Sequence, residues 1–454
     1  MSPARTEPIA PVGGRGDELR RLFRLAGPVM IAYLGTISMG TIDTIMAGRL
    51  GPAALGSVAL GHTWGIAVAI VAYGAARVLD PIVAQAYGAG DRRAAGLGLS
   101  RGLAMMTILG APVIVLYAAA GPGLALLGQP IELIPDARTY CLVLVPGMPA
   151  ILAFVVVRNF LQAVGLVRPA TYAILLANVM NVLFNGVFMY GWLGFPSLGV
   201  AGCALSTAIG QWIMLGAIVV FSRRTLRAYW PGFSGAFAWA PLSPMLRLGL
   251  TLGFQFGLEV WAFHAAGFMM GRLGGAAFAA HAVAINLATI SFMLPSGVGV
   301  AAATRVGNLV GAGLPWGRSA AIAIGLGAAI VAVPAIAFLL LPKALAGIYT
   351  SDVTVVGVAA AIIPLAGAFQ LFDGTQAVAF GVLRGAGDLK VPAIVNVLGY
   401  WLFGLPIGWV LAFPAGGGAR GVWAGLVLGL AAVALLLVLR VGRLSRRPVT
   451  RLLE

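Results

Sequence analysis

Three of the thirteen acidic residues lie inside long apolar runs: Asp43 in TISMGTIDTIMAG, Glu259 in GFQFGLEVWAFHAAG and Asp373 in AFQLFDGTQAVAFG. With those runs in lipid, each ionised carboxylate costs roughly 2.5–3.5 kcal/mol at mid-membrane, and the three together about 8–10 kcal/mol, as much as an entire folding stability. Such a cost calls for a functional reason. Carboxylates that face an aqueous cavity without fixed counter-ions suit protons, sodium or organic cations. The alternative is that each is a buried partner of an Arg, or a protonated group that hydrogen-bonds helices together. No Lys or Arg lies within a turn of any of the three, and none falls in the middle of an apolar run, so a basic partner must come from elsewhere in the fold. His62, His264 and His281 are scattered and form no metal-ligand pattern, and Cys141 and Cys203 sit within apolar runs without ligand spacing; both sets read as packed side chains. The 14 Met, 10 Trp, 10 Tyr and 21 Phe residues supply material for an adaptable cavity, but most must face lipid or neighbouring helices.

The elements that position these carboxylates follow from composition. Of 454 residues 60% are apolar and only 9% charged, with a mean hydropathy of +0.99, which excludes a soluble globule because a folded chain of this size must still cover its surface with polar groups. At about 20 apolar residues per span, this length accommodates twelve membrane helices and no large soluble domain. Apolar runs recur near 25–47, 54–79, 97–119, 139–159, 170–192 and 199–221, and again near 248–270, 277–301, 319–341, 355–381, 392–413 and 421–440. The net charge of +16 is consistent with nucleic-acid binding by sign, but not by position. With a cytoplasmic N-terminus, 24 of the 29 basic residues fall on one side of the membrane; Arg49, Arg138, Arg272, Lys343 and Arg420 fall on the other. This is the bias that orients membrane proteins, and it predicts a multi-pass protein of the plasma (inner) membrane with both termini in the cytoplasm and no nucleic-acid partner.

The chain divides into a cytoplasmic tail (1–24), an N-lobe of six helices (25–222), a cytoplasmic connector (223–246), a C-lobe of six helices (247–441) and a second tail (442–454). The lobes repeat. Arg24-Leu25 matches Arg247-Leu248, Gly48-Arg49-Leu50-Gly51 matches Gly271-Arg272-Leu273-Gly274, and Gly88-Ala89-Gly90 matches Gly311-Ala312-Gly313, each at an offset of 223. Six helices per repeat preserve orientation, so the lobes are related by a pseudo-two-fold axis along the membrane normal, the plan of a parallel-repeat transporter. Many of the 64 glycines lie within helices, where small residues permit close packing, as Gly421, Gly425 and Gly429 would on one face of the last helix.

At these residues the sequence resembles the MATE (multidrug and toxic compound extrusion) family over essentially its whole length, and within it the NorM-like subgroup. Pro28, fifteen residues before Asp43, resembles the bend of the family's first helix; PIVAQAYGAG at 81–90 resembles its second-helix motif. In the second half LEVWAF carries Glu259, AAHAVAINL follows at 279–287, and FDGTQAVAFGVLRGAGD carries Asp373 and the loop Arg384 to Asp388, the most specific of these matches. The resemblance implies a secondary transporter that exports small cationic or amphipathic organic molecules in exchange for protons or sodium. It further implies an N-lobe cation site of Asp43 with Asn181, Asn185 and Thr207, and sodium at Glu259 and Asp373 or at Asp43. Asn185 stands where one family pattern has a second aspartate. Phe369 stands where tyrosine is frequent, offering a cavity aromatic without a hydroxyl. Oxygen ligands suit a hard monovalent cation, and a carboxylate shielded from water suits proton carriage. A flippase for lipid or polysaccharide precursors shares the bilobed plan but would need basic residues inside its cavity. No catalytic nucleophile, cofactor or metalloenzyme motif is present in the sequence, so the expectation is a transporter rather than an enzyme, a monomer embedded in lipid.

Overall fold

The computed structural model describes residues 9–447, 449 and 452. Among these there are twelve long helices and no strand: α1 (Arg15–Gly48), α2 (Pro52–Gly88), α3 (Arg92–Ala118), α4 (Ile134–Ala163), α5 (Arg168–Met189), α6 (Gly199–Tyr229), α7 (Trp239–Arg272), α8 (Gly275–Gly311), α9 (Gly317–Leu340), α10 (Val353–Gly385), α11 (Lys390–Ala412) and α12 (Gly418–Leu444). Even the shortest, α5 with 22 residues, is about 33 Å long and clears the hydrocarbon core. Eleven are also apolar enough to cross a bilayer. The exception is α7, whose 34 residues suffice in length but include Gln255, Glu259 and His264. The helix least at home in lipid carries one of the three carboxylates.

Four of these helices depart from regular α geometry in places that matter below. A 3₁₀ turn, Ala76–Val78, interrupts α2 and another, Val145–Gly147, interrupts α4. A widened π turn occupies Asn185–Met189 of α5, and a second occupies Leu398–Gly404 of α11, the fifth helix of each half. Such turns recur at functional sites because they re-aim side chains that a regular helix would stack. Pro28 lies inside α1, which continues across it as one helix. Toward the middle of the chain, α6 runs on to Tyr229 and carries Arg223, Arg224 and Arg227 on its last turns, and α7 resumes at Trp239.

The helices cluster into two compact units. One comprises Ile31–Leu79 and Asp91–Phe254; the other comprises Asp80–Gly90, the residues from Gln255 onward and the described residues up to Met30. Helices α1, α2 and α7 each pass from one unit to the other within their length, α1 two residues beyond Pro28 and α2 just after its 3₁₀ turn.

In the second unit two buried ion pairs fasten the early segments to later helices. Glu18 is fully buried, and its Oε1 takes hydrogen bonds from Arg305 Nε at 2.7 Å and Ser319 Oγ at 2.7 Å. Arg305 Nη2 also donates to Glu18 Oε2 and to the backbone carbonyl of Ala10, both at 3.0 Å. Asp80 pairs with Arg384 at 3.1 Å, both side chains nearly inaccessible. In sequence Asp80 stands beside Arg77 and Arg305 reads as a loop residue; in the fold α8 continues through Arg305 to Gly311, and Asp80 takes a partner 304 positions away. Close approach of α11 and α12 in the same unit is set by glycine: a methyl at Gly425 would collide with the backbone of Gly408, so the expected small-residue face of the last helix does pack against a neighbouring backbone.

Candidate functional site

In the first unit Asp43, 4% exposed, projects from α1 onto α5 and α6. Its Oδ1 accepts a hydrogen bond from Asn185 Nδ2 at 2.7 Å and its Oδ2 one from Thr207 Oγ1 at 2.8 Å. Asn181, one turn before Asn185 on α5, donates to Thr207 Oγ1 at 3.4 Å and accepts from Asn185 Nδ2 at 3.4 Å. The four residues that the family resemblance grouped are thus in contact. Cys203, one turn before Thr207, also lies within hydrogen-bonding reach of the Asp43 carboxylate. Position 185 opens the π turn of α5, so the side chain nearest the carboxylate stands where the helix widens. The Oδ1 of Asn185 is buried without a donor, an amide oxygen beside a carboxylate with room in its bonding for a cation.

In the second unit Glu259 of α7 is held by three carboxamides. Gln255, one turn earlier on the same helix, donates to Oε2 at 2.9 Å; Asn396 of α11 donates to Oε2 at 2.9 Å; and Gln376 of α10 donates to Oε1 at 3.4 Å. Asp373, 5% exposed and three residues before Gln376, lies within electrostatic range of Glu259 and has no hydrogen-bond partner among the described residues. The second cluster therefore brings Glu259 and Asp373 together. It also holds Tyr400, from the π turn of α11, whose buried hydroxyl has no partner and which feels both carboxylates. Tyr400 thus brings to this cluster a phenol hydroxyl that Phe369 lacks. Aromatic rings back the cluster: Phe263 meets Phe369 and Tyr400 edge-on at centroid distances of 5.8 and 5.4 Å, and Phe369 meets Trp423 at 5.9 Å. His281 packs against Trp423, a placement among core rings rather than among ligands.

The two clusters share a design that the sequence did not announce. In each, a carboxylate on the first helix of a half accepts a hydrogen bond from an asparagine on the fifth helix of that half, at or two residues before its π turn. They differ in position within the repeat. Asp43 stands five residues before Gly48 in the repeated Gly-Arg-Leu-Gly corner, and Glu259 twelve before Gly271, so the acids occupy the same helical face two turns apart; the repeat counterpart of Asp43 is Ala266 and that of Glu259 is Thr36. Pro28 lies fifteen residues, about 22 Å along α1, from Asp43, too far to touch that carboxylate. Chemically, each cluster surrounds its acid with neutral amide and hydroxyl groups, a donor set that positions a carboxylate without neutralising it and offers oxygens to a mobile cation.

Sequence comparison places these features among known proteins. The MatE family model matches residues 28–187 and 252–410, one copy in each half. The multidrug resistance protein PmpM of Pseudomonas aeruginosa is 34% identical over 442 residues, covering 95% of this chain and 92% of that protein. A protein of Mesorhizobium japonicum described as a probable multidrug resistance protein NorM is 35% identical over 447 residues, covering 93% of each. In fold, the crystal structure of the eukaryotic MATE transporter AtDTX14 superposes with a TM-score of 0.85 over 96% of this chain and 99% of that one at 23% identity. The Vibrio cholerae MATE transporter VcmN in its bent form superposes with a TM-score of 0.82 over 95% and 98% at 18% identity.

Proposed function

The chain belongs to the MatE family, and on that premise we infer that it is a multidrug efflux transporter, a multi-pass membrane carrier rather than an enzyme. We propose that it works by antiport, exporting small organic cations against inward flow of protons or sodium, with two lobes alternating access to its clusters. The observation that carries the antiport reading is the chemistry around Asp43: a buried carboxylate held by Asn185 and Thr207, with the Asn185 amide oxygen left over for a cation. Glu259, held by three carboxamides, together with Asp373 and the Tyr400 hydroxyl near it, forms the second place where coupling ion and substrate compete. Competition for acidic groups, direct or through conformation, is what thermodynamic coupling between two cations requires. In this reading the residues present need no resident cofactor, the protein acts as a monomer in the inner membrane, and both termini with the connector face the cytoplasm, as the distribution of basic residues favours.

The test is efflux of a fluorescent organic cation from proteoliposomes under an imposed pH gradient or an imposed sodium gradient. One of the two gradients should drive uphill movement by the wild type. If neither does, antiport is wrong; if Asp43→Asn keeps full coupling, the role given to the first cluster is wrong.

A further inference from the structure

In the second unit the first two turns of α1 run beside α9, with Glu18 hydrogen-bonded to Ser319 at the foot of that helix. Above this tie lies an open groove of about 500 Å³ lined by Leu19, Arg20, Phe23 and Arg24 of α1 and Leu326 of α9. Arg20 and Arg24 are one turn apart, both exposed, and neither has an ion-pair or hydrogen-bond partner among the described residues. Asp17, three residues before Arg20, forms no ion pair with it among the described residues, and Glu18 is committed to Arg305. Phe23 between them is 57% exposed, an aromatic side chain left uncovered at the level where the apolar run of α1 begins.

We propose that this groove is a binding site for an anionic glycerophospholipid, with Arg20 and Arg24 holding the headgroup phosphate and Leu19, Phe23 and Leu326 bedding the upper acyl chain. Arg20 and Arg24 stand just before the apolar run that begins at Leu25, the level of lipid headgroups in a membrane protein, and paired unpartnered arginines beside an apolar groove match a molecule that is anionic at one end and hydrocarbon at the other. A zwitterionic lipid offers the same hydrocarbon but carries its own cation beside the phosphate, so charge selects the anionic class.

The site is tested on the full-length protein reconstituted with phosphatidylcholine and phosphatidylglycerol and then released for native mass spectrometry. The wild type should retain phosphatidylglycerol in preference to phosphatidylcholine. Arg20→Gln with Arg24→Gln should weaken that preference by about tenfold or more, at about 1 kcal/mol per basic residue near an anionic surface. Arg15→Gln with Arg21→Gln removes the same net charge from outside the groove and should leave the preference intact. Equal retention by the Arg20/Arg24 variant, or equal loss in the Arg15/Arg21 control, overturns the proposal. A Leu326→Trp variant supplies a second readout with both arginines in place: above the quenching of the wild type, whose ten tryptophans set the background, phosphatidylglycerol brominated on its acyl chains should add more quenching than brominated phosphatidylcholine, and an equal increment also overturns it. Both readouts use vesicles with the lipid in both leaflets, so an error in the assigned orientation of the N-terminus would not imitate failure of the site.

Discussion

A buried carboxylate is only as useful as the groups that hold it. Asp43→Asn preserves shape and removes charge, and gradient-driven efflux should fall by about tenfold or more with little change in thermal stability, since an amide can still bond to Asn185 and Thr207. Glu259→Gln and Asp373→Asn should do the same from the second cluster, read as efflux in inverted vesicles at matched expression. Asn396→Leu is a finer probe. It leaves the half-buried Glu259 short of one donor, at a cost near the lower end of the about 1–3 kcal/mol that an unpaired buried group carries, so both the coupling-ion affinity and the unfolding temperature should drop. Tyr400→Phe removes a buried hydroxyl that has no partner; it should cost little stability yet lower cation affinity, and unchanged affinity would remove Tyr400 from the site. The acids were legible in the sequence because a charge in an apolar run is conspicuous. Gln255, Gln376, Asn396 and Tyr400 were not, because uncharged polar residues are tolerated in membrane helices and no short-range pattern links α7, α10 and α11. Only Gln255, one turn before Glu259, carried a local signal.

At the scale of elements, the early segments are held by charge as much as by packing. Removing one member of a buried pair leaves an uncompensated charge and typically costs about 3–5 kcal/mol, whereas replacing both with apolar residues can be neutral. Glu18→Gln alone should therefore lower the unfolding temperature sharply, while Glu18→Met with Arg305→Met should recover much of the loss in the same thermal assay. Eleven of the twelve helices follow the apolar runs closely, since length and hydropathy specify them locally; α7 is long enough but is diluted by Gln255, Glu259 and His264. Their irregularities do not follow from any run. The π turns of α5 and α11 and the partnership of Asp80 with Arg384 depend on what each helix meets in the fold. So does the passage of α1, α2 and α7 between compact units, which a division into consecutive halves does not anticipate.

For the whole molecule, orientation is the prediction with the simplest readout. A cysteine placed at the exposed Ser234, in a background lacking Cys141 and Cys203, should resist impermeant reagents in intact cells and react in inverted vesicles. Ser222 would serve poorly, being buried with its hydroxyl bonded to the carbonyl of Ile218. The repeat that builds the molecule also places its two first-helix acids seven residues apart relative to the shared Gly-Arg-Leu-Gly corner. Seven residues are about 10 Å of helix, roughly a third of the hydrocarbon thickness. On the antiport proposal, a monovalent cation entering from that corner would cross about a third of the transmembrane voltage more along its own repeat to reach Glu259 than to reach Asp43. At 100 mV that difference is about 0.8 kcal/mol, or about fourfold in occupancy. Two clusters of like chemistry would then respond unequally to the same membrane potential, and occupancy of the Glu259 cluster would be the more strongly electrogenic of the two.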